Sequence, residues 1–185
     1  MAENLNYNAT GSKCYGDNSG GDSQKRCGTY GRLYNWATAM GFESSCNSST
    51  CSSQIQSPHR GFCPLGWHIP SNADWDTLMI AVGGSSTAGT KLKAKSGWSS
   101  CGPSGSGRSY SCEDEYEFSA LPGGSYGSSI FYENFEYVYE RGYWWSATEY
   151  NADYAYNRDM NYNYDNVDNN NNYKSNLYSV RCLQD

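Results

Sequence analysis

Eight cysteines in a chain rich in glycine, serine and asparagine constrain the fold more than any other feature of this sequence. An even number of cysteines in such a chain is typical of a protein that folds in an oxidising compartment and is stabilised by disulfides. Three pairs lie close together in sequence, which favours local bridges, and the two remaining cysteines would then join the start of the core to the last strand. Sequence alone allows 105 pairings. The pairing that we expect is Cys14–Cys27, Cys46–Cys51, Cys101–Cys112 and Cys63–Cys182.

The composition also argues against several classes of function. A net charge of −6 provides no basic surface for phosphate groups, so we expect no nucleic-acid partner. The only histidines are His59 and His68, and no Cys-x-x-Cys pair occurs, so neither a zinc site nor a catalytic triad is expected. No run approaches the ~18 apolar residues of a membrane-spanning helix. We therefore expect no catalytic residue, no cofactor, no metal ion and no membrane span.

Hydrophobic spacing predicts two helices in the first half of the chain. The first ends near Gly41, and the second begins at Ser71, which forms a near capping box with Asp74. Both segments repeat apolar residues three and four positions apart, as one face of a helix does. These residues are Leu33, Trp36, Ala37 and Met40 in the first helix, and Trp75, Leu78, Met79 and Val82 in the second.

Strand-like patterns fill much of the second half. Residues 118–124 (FSALPGG) predict a short strand and a turn, and residues 129–149 predict two antiparallel strands separated by Gly142. Residues 177–183 (LYSVRCL) alternate as a closing strand would. Two helices followed mainly by strands and loops indicate an α+β fold with a twisted antiparallel sheet.

A tract near the C-terminus has an unusual composition. Residues 150–176 contain ten Asn, six Tyr and four Asp, so three residue types fill 20 of 27 positions. Asparagine-rich tracts are often disordered, but disordered segments are usually poor in aromatic residues. Tyrosine supplies stiff amphipathic contact area and asparagine supplies adaptable hydrogen bonds, a mixture that antibody loops also use. We interpret the tract as a binding surface, with a solvated loop as the alternative.

The same composition suggests how the tract arose. Single changes at the adenines of an asparagine codon give Tyr, Asp, His, Ser, Thr or Ile. The tract therefore resembles the variable region of proteins diversified by retroelements, in which a reverse transcriptase copies a template with errors at adenines. On this hypothesis a variable region covers about residues 143–178, where Arg158 and the apolar residues hold the backbone while the residues between them point outward. The ligand-binding residues that we expect are Tyr143, Tyr150, Asn151, Asp153, Tyr154, Asn157, Asp159, Tyr162, Asn163, Asp165, Asn166, Asp168, Asn170, Tyr173 and Asn176.

Two alternatives remain open inside this region. Residues 169–172 form either part of the binding surface or a turn. Asp165 and Asp168 are hard oxygen ligands of the type that calcium prefers, but neither EF-hand spacing nor a signature of calcium-dependent lectins is present. We therefore expect ligand binding without calcium.

An ordered set of motifs resembles one known family. The chain contains CYGDN, CGTYGRLYNWATAM, CPLGWHIPSNADWDTL, FSALPGG, GYWWSATE and SVRCLQD. From about Cys14 to the C-terminus, their order is similar to that of the Fibrobacter succinogenes major paralogous domain. The resemblance implies a C-type-lectin-like fold, related to that of formylglycine-generating enzymes, with variable residues displayed beside the final strands. Those enzymes use a reactive cysteine pair, whereas all eight cysteines here are assigned to structure, so we expect no enzyme.

Together these inferences predict a receptor-like or adhesin-like protein that binds a protein or glycan on another cell or surface. We expect residues 1–13 to be a flexible N-terminal segment and residues 14–185 to be a single domain. The expected location is extracellular, on a bacterial outer surface or a phage virion, with Met1 replacing a removed export signal or lipid anchor. The rival functions are a carbohydrate-binding module of fixed specificity and a structural subunit of a cell surface or filament.

Overall fold

A computed structural model describes residues 3–15, 23–102, 110–128 and 133–185. These residues form an α+β architecture of α-helices, two short 3-10 helices and small sheets. The helices are α1 (Ser23–Tyr30), α2 (Trp36–Met40), α3 (Asn72–Ala81) and α4 (Ser85–Leu92), and the 3-10 helices are Ser44–Asn47 and Ser52–Gln54. The strands are β1 (Ser12–Lys13), β2 (Leu33–Tyr34), β3 (Trp67–His68), β4 (Cys101–Gly102), β5 (Tyr110–Ser111), β6 (Ser125–Ser128), β7 (Glu133–Glu136), β8 (Arg141–Glu149), β9 (Tyr154–Asn161), β10 (Asp168–Tyr173) and β11 (Leu183–Gln184).

The principal sheet consists of three antiparallel strands in the order β10-β9-β8. Smaller antiparallel pairs are β1 with β2, β3 with β11, and β6 with β7, whereas β4 and β5 pair in parallel. The last segment of the chain joins these sheets through single bridges, in which Ser179 pairs with Trp144 and Tyr178 pairs with Tyr34. This segment therefore links β2 to the principal sheet.

Both predicted helices are present, although Leu33, which was expected on the first helix, lies in β2. Local capping explains where the helices begin. In α2, the Asn35 side chain accepts a hydrogen bond from the Thr38 N–H at 2.8 Å. In α3, Asp74 and Ser71 form the complete capping box, with the Ser71 N–H donating to Asp74 Oδ2 at 2.9 Å. No helix was expected at α1, and α4 begins without a side-chain cap.

The two largest core clusters lie on opposite sides of β8. Trp144 and Trp145 are adjacent and both fully buried, and neighbouring strand residues face opposite sides of a sheet. Trp145 therefore packs with Trp36 and Tyr178, whereas Trp144 packs with the cluster that contains Trp75. The principal sheet is thus held between two hydrophobic layers, and its position is fixed from both sides.

All eight cysteines form the four expected disulfides. The Cα–Cα distances are 5.3 Å for Cys14–Cys27, 5.7 Å for Cys46–Cys51, 5.8 Å for Cys63–Cys182 and 5.6 Å for Cys101–Cys112. The first two bridges and the last close local loops, and Cys63–Cys182 joins residues 119 positions apart. The pairing predicted from the spacing is confirmed.

The predicted strand division at Gly142 is wrong, because Gly142 lies inside β8. The chain instead reverses over residues 137–140, where Tyr137 and Tyr139 have φ angles of 61° and 70°. A Cβ atom on Gly142 would overlap the Trp144 ring and lie 2.9 Å from the Leu121 carbonyl oxygen. Glycine is therefore present because the core packs closely against the strand and not because the chain turns there. As a result, β7 pairs with β6 and β8 pairs with β9.

Three other expectations also need correction. Residues 3–13 are not a free segment, because Leu5 is buried in the core and its N–H donates to the Val180 carbonyl at 2.8 Å. Residues 118–121 form only a single bridge, between Ala120 and Lys93, instead of a strand. In residues 177–183, regular pairing is limited to β11, because the chain bonds to several neighbours in turn. These long-range contacts are not visible in local sequence patterns.

Candidate functional site

The Asn/Tyr-rich tract forms β9, a turn and β10 of the principal sheet. The pairing register places Asp168 opposite Asp159, Asn170 opposite Asn157 and Tyr173 opposite Tyr154. The apolar residues that interrupt the tract hold it to the core, because Ala155, Met160 and Val167 are buried. Residues 169–172 therefore belong to a strand and not to a turn.

Arg158 fixes the middle of the tract to α3. Its guanidinium donates to Asp76 Oδ1 and Asn169 Oδ1, each at 2.6 Å, and to Asn72 Oδ1 at 3.0 Å. Burial lowers the pKa of Arg158, and the hydrogen bond with Asp76 opposes that effect. The side chain is 1% exposed, so it acts as an internal clamp between the sheet and the helix.

Lys174 fixes the end of the tract to the Cys46–Cys51 loop. Its ammonium donates to Glu149 Oε1 at 2.5 Å, to the Ala152 carbonyl at 2.9 Å and to the Ser49 carbonyl at 3.1 Å. Glu149 also accepts the N–H groups of Cys51 and Ser52, each at 2.9 Å. Both charged side chains are buried, and their bonds connect the end of β8, the end of β10 and the disulfide loop.

The turn between β9 and β10 packs against α4. The Lys93 ammonium donates to the Tyr164 carbonyl, and Thr90 Oγ1 donates to Asp165 Oδ1 at 2.8 Å. The Val167 N–H donates to the Ser85 carbonyl at 2.9 Å. Burial lowers the pKa of Lys93 to about 8, and nearby Asp165 acts in the opposite direction. The turn is therefore held at its backbone.

Four tyrosines form an aromatic group at one end of the principal sheet. We call Tyr150, Tyr154, Tyr156 and Tyr173 the tyrosine cluster. The ring centroids of Tyr154 and Tyr173 are 4.4 Å apart, and those of Tyr150 and Tyr156 are 5.4 Å apart in an edge-on arrangement. Tyr150 and Tyr173 are 53% and 55% exposed, so the cluster presents aromatic surface and hydroxyl groups to solvent.

The opposite face of the same strands is polar but largely buried. The Tyr143 ring stacks on Tyr178 with centroids 4.7 Å apart. Asn172 Nδ2 donates to Asn157 Oδ1 at 2.9 Å, and Asn170 Nδ2 donates to Asp159 Oδ1 at 2.7 Å. Burial raises the pKa of the Asp159 carboxyl, and the hydrogen bond from Asn170 lowers it. This face holds β9 to β10.

The expected ligand residues therefore occupy three environments. The exposed ones are Tyr150, Asn151, Asp153, Asp165, Asn170 and Tyr173. The half-buried ones are Tyr154, Tyr162, Asn163, Asn166, Asp168 and Asn176. Contrary to the outward orientation that we predicted, Tyr143, Asn157 and Asp159 are buried. Their side chains are committed to contacts within the sheet and with Tyr178, which sequence alone does not reveal.

Several predicted residues serve local structure as well. Asn151 Oδ1 accepts the N–H groups of Asp153 and Tyr154, each at 2.9 Å, and so shapes the turn before β9. Tyr162 packs against the core cluster that contains Trp75. These contacts separate residues that shape the site from those that present free surface.

Four residues of the site were missed. Tyr156, Asn169 and Asn171 lie on the exposed side of β9 and β10, and Lys174 forms the buried ion pair. The alternation of Tyr154 and Tyr156, two positions apart, could have identified Tyr156 as a cluster member. No local signal identifies the partner of Lys174, because Glu149 lies 25 residues away.

A cleft of about 670 Å³ borders the start of β10. Its lining includes Asp76, Ile80, Ser85, Arg158 and Asn169. Among the described residues, no group of three or more histidine, cysteine, aspartate or glutamate side chains is placed to hold a metal ion. No described helix has the length and apolar character needed to cross a membrane.

The family model of the Fibrobacter succinogenes major domain matches residues 1–184. The chain belongs to this family. The family prediction is thus confirmed, and the match includes the N-terminal residues before Cys14. Neither curated proteins nor solved structures gave a match to the chain. In this Fibrobacter succinogenes major domain, the tyrosine cluster and β10 lie within the family match, between the motifs GYWWSATE and SVRCLQD.

Proposed function

We propose that this domain is a ligand-binding protein of the cell surface or virion, with a C-type-lectin-like fold and a binding surface diversified by a retroelement. Its ligand is a protein or glycan on another cell or surface, and binding is non-covalent and involves no catalysis. The domain includes the N-terminal residues from Leu5 onward, whose side chain packs in the core, and its variable region covers about residues 143–178. The observation that carries the proposal is the exposed tyrosine cluster on a firmly anchored sheet.

The tract contains buried residues that anchor its backbone and exposed residues that form its surface, and this separation supports the proposal. Arg158, Lys174 and the apolar residues hold the backbone through buried contacts. The exposed tyrosines, by contrast, contribute little to the core, so substitutions there change the surface at small cost to folding. A surface of this kind is suited to sequence variation.

The chemistry of the surface favours recognition of a macromolecule. Tyrosine is among the residues that dominate binding energy at interfaces, and it loses little conformational entropy when it is immobilised. A standard protein interface covers about 800 Å² on each partner, or roughly 20–30 residues. The tyrosine cluster with the exposed Asn and Asp residues around it provides the centre of such an area. The four disulfides are typical of proteins outside the reducing cytosol.

A carbohydrate-binding module of fixed specificity is the second candidate. The paired rings of Tyr154 and Tyr173 form an aromatic platform, and such a platform can stack against a sugar ring.

Population sequencing of the codons for residues 143–178 and their flanking DNA distinguishes a diversified binding surface from a module of fixed specificity. Variation confined to those codons, with a matching template repeat beside a reverse-transcriptase gene, supports diversification. An invariant tract without a template repeat supports fixed specificity.

A binding experiment tests the surface itself. The purified domain is applied to arrays of glycans and of cell-surface proteins, beside the variants Tyr173→Ala and Tyr164→Ala. Tyr173 and Tyr164 are equally exposed, at 55% each, but only Tyr173 belongs to the tyrosine cluster. We expect Tyr173→Ala to weaken binding at least about 30-fold, as hot-spot tyrosines do, with little change in Tm. If Tyr173→Ala and Tyr164→Ala bind the ligand with equal affinity, the ligand does not bind at the tyrosine cluster.

A further inference from the structure

β10 is an edge strand without the usual protection against pairing. It lies outside β9 in the principal sheet. Natural edge strands often carry lysine, proline or a bulge, which discourage another strand from pairing with them. The sequence of β10 is DNNNNY, and its register with β9 runs without a shift. The edge is therefore regular, uncharged at its centre and six residues long.

The hydrogen-bond pattern shows which backbone groups face this edge. The Lys174 N–H donates to the Asp153 carbonyl at 2.9 Å, and hydrogen-bonded residues alternate along an antiparallel strand. Every second residue of β10 therefore bonds to β9, and the residues between them direct their N–H and C=O groups away from it. The inward residues are Asp168, Asn170 and Asn172, and the outward residues are Asn169, Asn171 and Tyr173.

The outward groups are accessible. Asn169, Asn171 and Tyr173 are all exposed. Within the described part of the chain, the backbone groups of Asn169 and Asn171 have no hydrogen-bond partner, and the Tyr173 carbonyl accepts only the Asn176 N–H at 2.9 Å. From Asn169 to Tyr173 the edge is roughly 13 Å long at the usual rise per strand residue, so it is long enough for about five residues of a second strand.

The charges around the edge select the kind of strand that would fit. Asp168 begins β10 and Asp165 lies in the turn before it, whereas Asp153 lies at the other end, where its carbonyl accepts the Lys174 N–H. Asp153 and Asp165 are exposed, and Asp168 is half-buried. The two cations of the tract are unavailable to a partner, because Arg158 is buried against Asp76 and Lys174 is buried against Glu149. Lys93 lies near Asp165 but is buried and donates to the Tyr164 carbonyl. The charges exposed along the edge are therefore acidic, which favours a partner segment that carries lysine or arginine.

We propose that β10 binds an extended, basic segment of a partner protein as a fourth strand of the principal sheet. Backbone hydrogen bonds to Asn169 and Asn171 hold the segment, and the adjacent tyrosine cluster contacts its side chains, a known mode of peptide recognition. The inference rests on the proposed function, because it assigns a partner class to that same surface. A second copy of this chain fits less well, since each copy has a net charge of −6 and the acidic edges would repel each other.

The test uses the full chain and a phage-displayed library of random 12-residue peptides. Peptides selected by the wild-type domain are synthesised, and their affinities are measured by fluorescence anisotropy against Asn171→Pro and Asn171→Ala. Proline removes only an outward N–H and is tolerated at a sheet edge, whereas alanine keeps that N–H and removes the side chain. We expect the selected peptides to be basic. We also expect Asn171→Pro to weaken binding about tenfold or more, because one acceptor of the peptide loses its donor, with little effect of Asn171→Ala.

Amide hydrogen exchange of the wild-type domain provides a measurement that does not depend on the folding of a variant. On peptide binding, the amides of Asn169, Asn171 and Tyr173 should exchange at least about tenfold more slowly, since each becomes part of a strand pairing. The edge inference would be overturned by peptides that bind without protecting these amides, or by peptides that bind Asn171→Pro as tightly as they bind the wild-type domain.

Two further outcomes would also overturn it while leaving the proposed function intact. In the first, no peptide is selected, although glycans or folded proteins bind and Tyr173→Ala abolishes that binding. In the second, the domain forms dimers that Asn171→Pro dissociates, which would identify a second copy as the occupant. If neither peptides nor array ligands depend on Tyr173, both the edge inference and the proposed function are wrong.

Discussion

Lys174 and Arg158 are charged residues in a polar tract, yet both are buried. Each has a carboxylate partner on another element, Glu149 for Lys174 and Asp76 for Arg158. The partners differ in their surroundings, since Glu149 is 4% exposed and Asp76 is 61% exposed. An unpaired buried charge costs much more than an unpaired charge in solvent. At the residue scale, we therefore expect loss of the Lys174 ion pair to cost more unfolding free energy than loss of the Arg158 ion pair.

The variant Lys174→Met should lose about 3 kcal/mol of unfolding free energy, because it leaves the Glu149 carboxylate buried without its cation. Urea unfolding followed by circular dichroism measures this loss. The double variant Lys174→Met, Glu149→Gln should recover part of it, since the uncompensated charge is gone. A loss below about 1 kcal/mol, the range of an exposed ion pair, would contradict the buried clamp.

At the scale of single elements, β8 shows how a strand is fixed from both faces. Its two adjacent tryptophans enter different core clusters, so any displacement of the strand disturbs both. Gly142 allows this arrangement because the Trp144 ring and the Leu121 carbonyl occupy the space where a side chain would begin. Neither neighbour is the flexible end of a surface side chain. The strand therefore has little freedom to accept added volume.

Gly142→Ala should destabilise the protein by about 2 kcal/mol, in the range typical of overpacked cores. Gly127→Ala in β6 is the matched control, since the nearest atom to its added Cβ is Asn176 Oδ1 at 3.5 Å, an ordinary contact distance. Thermal unfolding of both variants gives the comparison. Equal Tm values for the two variants would mean that the core beside Gly142 adjusts to an added methyl group at little energetic cost.

At the scale of the whole molecule, Cys63–Cys182 differs from the other disulfides. It joins residues 119 positions apart, whereas Cys46–Cys51 joins residues 5 positions apart. In the chain-entropy model, the stabilisation from a cross-link increases with the length of the loop that it closes. The long bridge also lies in the core cluster of Trp36 and Trp145, so it couples the first half of the chain to its end.

Replacing Cys63 and Cys182 by serine should cost about 5 kcal/mol, against about 2 kcal/mol for serine at Cys46 and Cys51, by the chain-entropy relation. Guanidinium unfolding of the two double variants measures the difference. If the short bridge proves as important as the long one, strain or packing, and not loop entropy, determines the stabilisation.

Features that depend on local spacing or on ordered motifs could be predicted from the sequence. The short cysteine separations indicated three bridges and left the fourth by exclusion, and Ser71 with Asp74 marked the start of α3. The ordered motifs identified the family. The composition of residues 150–176 marked the candidate surface, because a tyrosine-rich polar tract suits binding better than disorder.

Which residues of the tract are exposed became clear only from the three-dimensional arrangement of the strands. Tyr143, Asn157 and Asp159 have the same side-chain types as their exposed neighbours, but all three are buried. Asn157 and Asp159 lie on β9, the middle strand of its sheet, and Tyr143 on β8 stacks on Tyr178. Among the described strands, β10 pairs only with β9, and Asn169 and Asn171 remain exposed. Lys174 became an anchor because Glu149, distant in sequence, lies beside it. Exposure and ion pairing depend on residues that are distant in sequence but adjacent in the fold, and local composition does not show which residues these are.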